Sequence, residues 1–392
     1  MAEIFLTIFF ISVLLFFLGS GIWVALSMIG VSAIGMMLFT SRPVGDAMAT
    51  TIWGTASSWT LTALPLFVWM GEILFRTKLS ENLFKGLSPW MQKLPGGLIH
   101  VNVVGCALFA AISGSSAATV ATVGKMSIPE LRKRNYPEKI LLGSLAGSGT
   151  LGLLIPPSII LIIYGVAVQE SIAKLFIAGI IPGIMIALIF MSYVIIWSLI
   201  NKKEMPKILE EYSFLEKIKR SRQLLPVILL ISAVIGSIYT GVATATEAAS
   251  LGVVGALILS YFQKSLTLET FKSSLLGATK TSCMIAFILA GSTFLSLAMG
   301  FTGLPRNLAI WIQGMELSPY VLILVLMIFY IILGMFLDGI SAVVLTMAII
   351  EPMIRQAGFD MIWFGIFLVI VVEMAQITPP VGFNLFVLQG MA

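Results

Sequence analysis

The chain carries one pattern of helix-breaking residues twice, once in each half. The first copy comprises Ser113-Gly114-Ser115-Ser116, Pro129 and Pro156-Pro157, and the second comprises Asp338-Gly339-Ile340-Ser341, Pro352 and Pro379-Pro380. A single offset of 223 residues carries the prolines of the first copy onto those of the second. Corresponding interruptions in two hydrophobic halves are typical of secondary transporters, whose binding site lies at the junction of the repeats.

The composition places these interruptions inside a lipid bilayer. Of the 392 residues, 59% are hydrophobic and 10% are charged, and the mean hydropathy is +1.06. Apolar runs of about 17 to 25 residues recur along the chain, the length that a helix needs to cross a membrane. These values indicate an all-α integral membrane protein that crosses the bilayer many times.

The net charge of +5 does not indicate a nucleic-acid partner, because the basic residues gather in loops. Residues 201–222 contain seven Lys or Arg, and a second basic group lies within 132–139. The positive-inside rule places both loops on the cytoplasmic side. Counting spans from there, the interrupted element 99–128 enters from the cytoplasmic face and 319–353 from the outer face. Related segments that enter from opposite faces form an inverted repeat.

This count divides the chain into two repeats separated by scaffold segments. The predicted units are N-terminal scaffold spans 1–75, a cytoplasmic amphipathic arm 76–98, a first repeat core 99–200 with hairpin 99–128 and broken span 140–165, a cytoplasmic basic loop 201–223, scaffold spans 224–262, a second arm 263–276, and a second repeat core 277–392 with hairpin 319–353 and broken span 361–390. A solvated loop with chance spacing is the alternative for each arm.

The first interruption, 113–116, is small and hydroxylated where a membrane span should be bulky. A chain that turns back within the membrane must satisfy its freed backbone groups, which Ser and Gly allow when protein surrounds them. We therefore predict a re-entrant hairpin with its tip at these residues. An ordinary helix with a small-residue packing face is the alternative.

The second interruption adds a carboxylate, Asp338, between apolar segments. An ionisable group at this depth is costly and usually marks an ion or proton pathway. A carboxylate that only caps a helix is the alternative.

The proline pairs predict two discontinuous helices. Proline lacks a backbone donor and restricts the residue before it, so carbonyls near Gly152 and Ile155 lose their helical partners. Unwound carbonyls and hydroxyls suit Na⁺, and the N-termini of half-helices suit an anion. Kinked helices without a ligand are the alternative. With two cysteines and one histidine in the chain, we expect no metal cluster of these residues. The sequence contains no Walker A or dinucleotide-binding motif, so we also expect no organic cofactor.

With these motifs in view, the chain resembles the large membrane subunit of TRAP (tripartite ATP-independent periplasmic) transporters, within the ion-transporter superfamily. The most specific segments are Ser113-Gly114-Ser115-Ser116-Ala117-Ala118, Ile128-Pro129-Glu130, Gly149-Thr150-Leu151-Gly152 with Ile155-Pro156-Pro157-Ser158, and Thr378-Pro379-Pro380-Val381-Gly382 with Asn384. The resemblance implies a non-enzymatic, elevator-type carrier in the bacterial inner membrane that couples Na⁺ to import of an organic acid, such as a sialic acid or a C4-dicarboxylate. It also implies two partners, a small four-helix membrane subunit and a periplasmic substrate-binding protein.

The resemblance further implies the site residues. The first Na⁺ site would comprise Ser113 and Ser115 with the carbonyls of Gly152, Ile155 and Pro157. Internal symmetry places a second Na⁺ site at Asp338, Gly339, Ser341, Ala375, Thr378 and Pro380. The substrate would lie between the hairpin tips, near Ser116, Thr150 and Asn384.

Two other functions remain open from the sequence: a stand-alone ion or dicarboxylate carrier of the same superfamily, and a channel. The family pattern also leads us to expect one more C-terminal helix than the chain contains. The substrate, the Na⁺ stoichiometry and the oligomeric state are not determined by these motifs.

Overall fold

The computed structural model describes residues 2–76, 79–206, 212–222, 224–303, 318–379 and 382–391, and it is built from helices. In chain order they are α1 (Ala2–Gly19), α2 (Val24–Phe39), α3 (Val44–Ala56), a 3₁₀ turn (Trp59–Thr62), α4 (Ala63–Phe75), α5 (Leu79–Met91), α6 (Ile99–Ser113), α7 (Ser116–Lys133), α8 (Glu138–Gly149), α9 (Leu151–Leu154), α10 (Ile159–Ala167), α11 (Ile172–Ile200), α12 (Phe214–Ser221), α13 (Leu225–Tyr239), α14 (Ala245–Phe262), α15 (Leu268–Thr302), α16 (Pro319–Gly334), α17 (Gly339–Gln356), α18 (Met361–Gln376) and α19 (Phe383–Gln389).

The helices have the lengths and surfaces of a membrane protein. Among the residues that the structure describes, four helices are long and apolar enough to cross a bilayer, and the number rises to seven if each bent pair counts as one span. Large apolar side chains on α11, including Ile181 and Ile200, point away from the protein and are more than three-quarters exposed. A hydrocarbon environment removes the cost that such a surface has in water.

Both interruptions form helical hairpins. In the first half, a Cβ built on Gly105 of α6 would lie 3.7 Å from Cγ1 of Val123 on α7, so the two helices run side by side away from the break. In the second half, the hydroxyls of Tyr330 on α16 and Thr346 on α17 are 2.6 Å apart. The predicted chain reversals at 113–116 and 338–341 are therefore present.

The repeat in the sequence is also a repeat in the structure. Adding 223 to the bounds of α7, Ser116 and Lys133, gives the bounds of α17, Gly339 and Gln356. Each helix contains the matching proline, and each begins after a residue whose side chain caps it, Ser115 in one case and Asp338 in the other. The broken spans also correspond, because the first residue of α8 maps onto the first residue of α18.

Hairpins and broken spans of both halves pack into one unit. The hydroxyl of Tyr164 on α10 donates a hydrogen bond to the carbonyl of Met361 at the start of α18, with a separation of 2.6 Å. A Cβ on Gly365 would lie 2.5 Å from Cε1 of the same tyrosine, so glycine allows this close approach. Around this unit, α15 packs on α2, α3 and α4, and α14 packs on α4 and α13.

The two predicted arms have different structures. In the first, α5 is a short amphipathic helix that buries Leu83, Phe84 and Leu87 and rests on α12, where Nε1 of Trp90 donates to Oγ of Ser221 at 2.7 Å. In the second, residues 263–276 do not form a separate element: the polar segment continues without a break into the span 277–300 as the 35-residue helix α15. No Pro or paired Gly interrupts 268–302, so the change from polar to apolar residues alone does not end the helix.

Candidate functional site

The tips of both hairpins line one large cavity. Its volume is about 1310 Å³, and it is bounded by residues 113–116 of the first tip and 338–341 of the second, although more than 200 positions separate them in the chain. The other walls come from 22–25, α4 and the middle of α15. A cavity between two polar breaks in an apolar protein is the expected form of a small-molecule site.

The first tip is built by a left-handed glycine and a serine cap. Gly114 has φ of 56°, a conformation that other residues rarely adopt. Ser115 then caps α7 by accepting a hydrogen bond from the amide of Ala118, and Oγ of Ser113 lies 2.8 Å from Oγ1 of Thr119. These short polar contacts satisfy the backbone groups that the reversal frees.

The first tip packs directly against the Pro156-Pro157 break. The amide of Ile159 donates to the carbonyl of Gly114 at 3.4 Å. A Cβ on Gly152 would lie 2.7 Å from the carbonyl oxygen of Ser115, so only glycine fits there. The structure therefore brings Ser113 and Ser115 to the break predicted to share an ion with them.

Three carbonyls at this break are candidates for ion ligation. Ile155 precedes a proline, Pro157 precedes the cap residue Ser158, and Gly152 lies four residues before Pro156, which has no amide hydrogen. In the part of the chain that the structure describes, the carbonyls of these three residues accept no hydrogen bond from backbone or side chains. Carbonyl and hydroxyl oxygens are hard ligands suited to alkali cations. Such a group of oxygens behind the tip has the chemistry that an alkali cation requires, without any carboxylate.

The second tip is organised by Asp338. Its Oδ2 accepts a hydrogen bond from the amide of Ser341 at 3.1 Å, which caps α17, and its carboxylate is exposed towards the cavity. A Cβ on Gly339 would lie 2.5 Å from Nε2 of Gln376 and 3.4 Å from Cδ1 of Leu153, so the tip sits between the broken spans of both halves. Asp338 thus performs the capping role and also faces the cavity.

The second break differs from the first. Ala375, which is buried, already accepts a hydrogen bond through its carbonyl from the amide of Thr378 at 3.0 Å, and the hydroxyl of Thr378 donates to the carbonyl of Met374 at 2.7 Å. Pro380 lies outside the described residues. The second predicted ion site therefore has fewer free carbonyls than the first, and it has a carboxylate instead.

Only one of the three predicted substrate residues lines the cavity. Ser116 does so from the start of α7. Thr150 lies at the junction of α8 and α9, where its hydroxyl donates to the carbonyl of Gly147 at 2.6 Å. Asn384 is fully buried on α19, and neither amide atom has a hydrogen-bond partner among the described residues. Neither residue is part of the cavity lining that the structure describes.

Glu373 is a site residue to which the sequence analysis assigned no role. It is 3% exposed, and its Oε1 accepts a hydrogen bond from the hydroxyl of Ser116, while Oε2 has no partner among the residues described. The signal was present in the sequence: Glu373 is the only charged residue of the helix Met361–Gln376. A buried carboxylate in such a helix is costly and is usually retained for function.

The cavity combines apolar walls with a few charges. Its charged lining residues are Glu72, Lys280 and Asp338. Glu72 forms an ion pair with Arg76, whose Nε also donates to Oγ of Ser273 at 3.0 Å. Lys280 is an exposed residue of α15 that lines the cavity. Its ammonium group is suited to form a charge-assisted hydrogen bond with an organic anion.

A model of one protein family matches almost the whole chain. The family is described as the DctM component of the tripartite ATP-independent periplasmic transporter, and the match covers residues 9–392. The chain belongs to this family. As a DctM-family protein it is an integral membrane transport protein, and its relatives are transporter permeases, not enzymes.

Relatives of this DctM-family chain differ in the compounds that their names state. It is 34% identical to the C4-dicarboxylate TRAP transporter large permease protein DctM of Pseudomonas aeruginosa, over 91% of this chain and 82% of that protein. It is 31% identical to the sialic acid TRAP transporter large permease protein SiaM of Vibrio cholerae, over 94% of this chain and 86% of that protein. It is 30% identical to the isethionate TRAP transporter permease protein DctMQ of Oleidesulfovibrio alaskensis, over 96% of this chain and 59% of that longer protein.

A solved structure shares the fold. The crystal structure of the YdaH transporter of Alcanivorax borkumensis superposes with a TM-score of 0.64 and 12% sequence identity, covering 96% of this chain and 90% of that chain. The predicted all-helical fold is thereby confirmed. The direction in which each hairpin enters the membrane is not part of this comparison and stays a prediction.

Proposed function

We propose that this protein is the large subunit of a Na⁺-coupled importer of organic acid anions in the bacterial inner membrane. The observation that carries the proposal is the meeting of both hairpin tips at one cavity, with each tip packed on a broken helix. Substrate bound between the tips and ions bound behind them would stabilise the same arrangement. Binding of each would then favour binding of the other.

The Na⁺ part of the proposal rests on the carbonyl, hydroxyl and carboxylate oxygens at the two breaks. At the first site, hydroxyls of Ser113 and Ser115 lie beside carbonyls of Gly152, Ile155 and Pro157, which accept no hydrogen bond from the described residues. At the second, the carboxylate of Asp338 and the hydroxyls of Ser341 and Thr378 are the available oxygens, with Gly339 allowing close approach. A cation at the first site would supply the partner that these carbonyls lack, and a cation at the second would offset the negative charge of Asp338.

The substrate part rests on charge and size. Lys280 and the N-terminal turn of α7 favour a negative group between the tips. The cavity also has enough apolar wall for a carbon skeleton. The relatives carry the names of a dicarboxylate, a sialic acid and a sulfonate, so we assign the class of small organic acids and no single compound.

The packing supports an elevator mechanism. The hairpins and broken spans of both halves form one unit, whereas α2, α3, α4, α13, α14 and α15 pack mainly among themselves. Movement of the first group past the second would carry the intact cavity across the membrane. The opposite entry of the hairpins, inferred from the loop charges, fits such an inverted repeat.

We also propose two partners. A small four-helix membrane subunit would cover part of the apolar surface of the scaffold helices, and a periplasmic binding protein would deliver the anion. The isethionate permease named DctMQ supports the first partner, because it is a longer chain and this protein aligns with 59% of it. The remaining part of that relative leaves room for a small subunit fused to the large one.

Na⁺ binding to the purified chain tests the first site without requiring either partner. We expect NaCl to raise the melting temperature above that in equimolar KCl, and Ser113→Ala to remove most of this difference. Ser192→Ala is the matched control, because Ser192 is an exposed serine of α11 that only donates to its own helix. Equal stabilisation by K⁺, or an unchanged Na⁺ effect in Ser113→Ala, would contradict the assignment.

A further inference from the structure

A second cavity lies beside the first and has a different chemistry. Its volume is about 620 Å³, and it lies between α5, α7 and the segment 212–220. Four basic residues line it, Lys85, Lys125, Arg134 and Arg220, against one acidic residue, Glu130. The formal excess of three positive charges favours an anion.

A buried hydroxyl in the wall of this cavity also lacks a partner. Thr122 of α7 is 4% exposed, and its Oγ1 makes no hydrogen bond to any described residue. Unpartnered buried hydroxyls are uncommon because they cost free energy. A ligand oxygen that reached this position would satisfy it.

The remaining lining is apolar on one side. Phe75, Phe84 and Met126 contribute aromatic and thioether surface next to the basic residues. Phe75 also lines the larger cavity, so it separates the two spaces. A cavity with a charged side and an apolar side matches a ligand with an anionic head and an apolar remainder.

The position in the membrane narrows the choice of ligand. Arg134 and Arg220 belong to the two basic loops that the positive-inside rule assigns to the cytoplasmic side. Basic pockets between membrane helices on that side are typical sites for anionic lipid headgroups. Arg220 is already held in place there, since its guanidinium carbon lies 4.2 Å from the ring centroid of Tyr212 and its Nη1 donates to that hydroxyl at 3.1 Å.

We propose that this second cavity binds the phosphate group of an anionic phospholipid from the cytoplasmic leaflet. Lys125 and Arg220 contact the phosphate, Thr122 donates its hydroxyl to a phosphate oxygen, and Phe84 and Met126 contact the apolar part. The lipid then joins α7, whose first residue Ser116 lines the substrate cavity, to α5 and α12. This inference requires only that the protein lies in a membrane, and it does not depend on Na⁺ coupling.

Native mass spectrometry of the delipidated full chain, titrated with phosphatidylglycerol or phosphatidylcholine, tests this site. We expect the tightest phosphatidylglycerol to bind roughly 10- to 30-fold more weakly to K125Q/R220Q. Each basic residue near an anionic lipid contributes roughly three- to fivefold to the affinity, and two such residues are removed. The matched control is K139Q/K219Q, which removes two exposed positive charges, one from the start of α8 and one from α12, but none from the cavity. Thr122→Val, which keeps the shape and removes the hydroxyl, should give a smaller loss.

Several outcomes would overturn the proposal. Equal weakening in both charge pairs would mean that net charge alone attracts the lipid, and equal binding by phosphatidylcholine would exclude recognition of the anionic head. A rise in melting temperature with inorganic phosphate that is lost in K125Q/R220Q, without preference for phosphatidylglycerol, would assign the cavity to free phosphate instead. Unaltered lipid binding in K125Q/R220Q and Thr122→Val would leave no role for the cavity.

Discussion

The hydroxyl of Ser116 donates a hydrogen bond to Oε1 of Glu373, although 257 positions separate the two residues. The contact joins the first hairpin to the broken span of the other half, directly beside the cavity. Both side chains are almost fully buried. The two repeats are thus connected by a polar contact at the point where a substrate would bind.

Removing this donor should destabilise the protein. Ser116→Ala leaves a buried carboxylate oxygen without its partner, which costs about 1–3 kcal/mol. Ser127→Ala is the matched control, because Ser127 is a buried serine of the same helix whose hydroxyl makes no hydrogen bond to the residues described. Melting temperatures of the purified variants should fall for Ser116→Ala and stay close to wild type for Ser127→Ala. Equal melting temperatures of the two variants would show that the contact is not stabilising.

The fit between the first tip and the first break makes a second prediction. Gly152→Ala places a methyl group 2.7 Å from backbone atoms of Ser115 and Ser116, so the tip must shift, and the overpacking should cost about 1–3 kcal/mol and reduce uptake strongly. Gly143→Ala on α8 is the control, since a Cβ there meets nothing within 4 Å. This control should be neutral or slightly stabilising, because alanine favours helix. Normal uptake by Gly152→Ala would contradict the close packing.

The two-fold repeat was the part of the fold best predicted from sequence. Proline and glycine act locally, so Pro156-Pro157 and Gly114 mark breaks whatever surrounds them. The continuous helix α15, which joins the polar segment 263–276 to the span 277–300, was not predictable in this way, because helix continuation depends on neighbouring helices.

The candidate site was also only partly predictable from local sequence signals. The residues of the two tips, including Ser113 and Asp338, were found because they interrupt apolar runs. Thr150 and Asn384 were placed by resemblance, and the structure puts neither at the cavity surface. Lys280 lies in a long helix with polar residues on several sides, so only the tertiary packing shows that it faces the cavity.

The carboxylate of Asp338 should affect Na⁺ activation. Asp338→Asn keeps a capping side chain but removes a negative charge next to the proposed cation, so the Na⁺ concentration for half-maximal uptake should rise at least about tenfold, more than for Thr378→Ala. Asp360→Asn is a matched control, because Asp360 also caps a helix, accepting from the amide of Trp363 at 2.8 Å, but does not line the cavity. A shift of similar size in Asp360→Asn would point to capping, not to the ion.

The two cysteines should differ in reactivity. Cys283 is exposed and lines the large cavity, whereas Cys106 is buried. A maleimide should therefore modify Cys283 and lower uptake, and Cys283→Ala should abolish both effects while Cys106→Ala changes neither. Intact-mass analysis of each variant after brief labelling measures how much maleimide has been added. Modification of Cys106 at a comparable rate would mean that the packing around α6 is more open than the structure shows.

The central claim is that a Na⁺ gradient drives uptake of an organic acid through this subunit. The most direct measurement is uptake of a labelled organic acid into proteoliposomes that contain this chain and its small membrane subunit, with the periplasmic binding protein outside. The account predicts accumulation above the external concentration only with an inward Na⁺ gradient and only with the binding protein present. Equal accumulation with K⁺ in place of Na⁺, or with this chain alone and no binding protein, would contradict it.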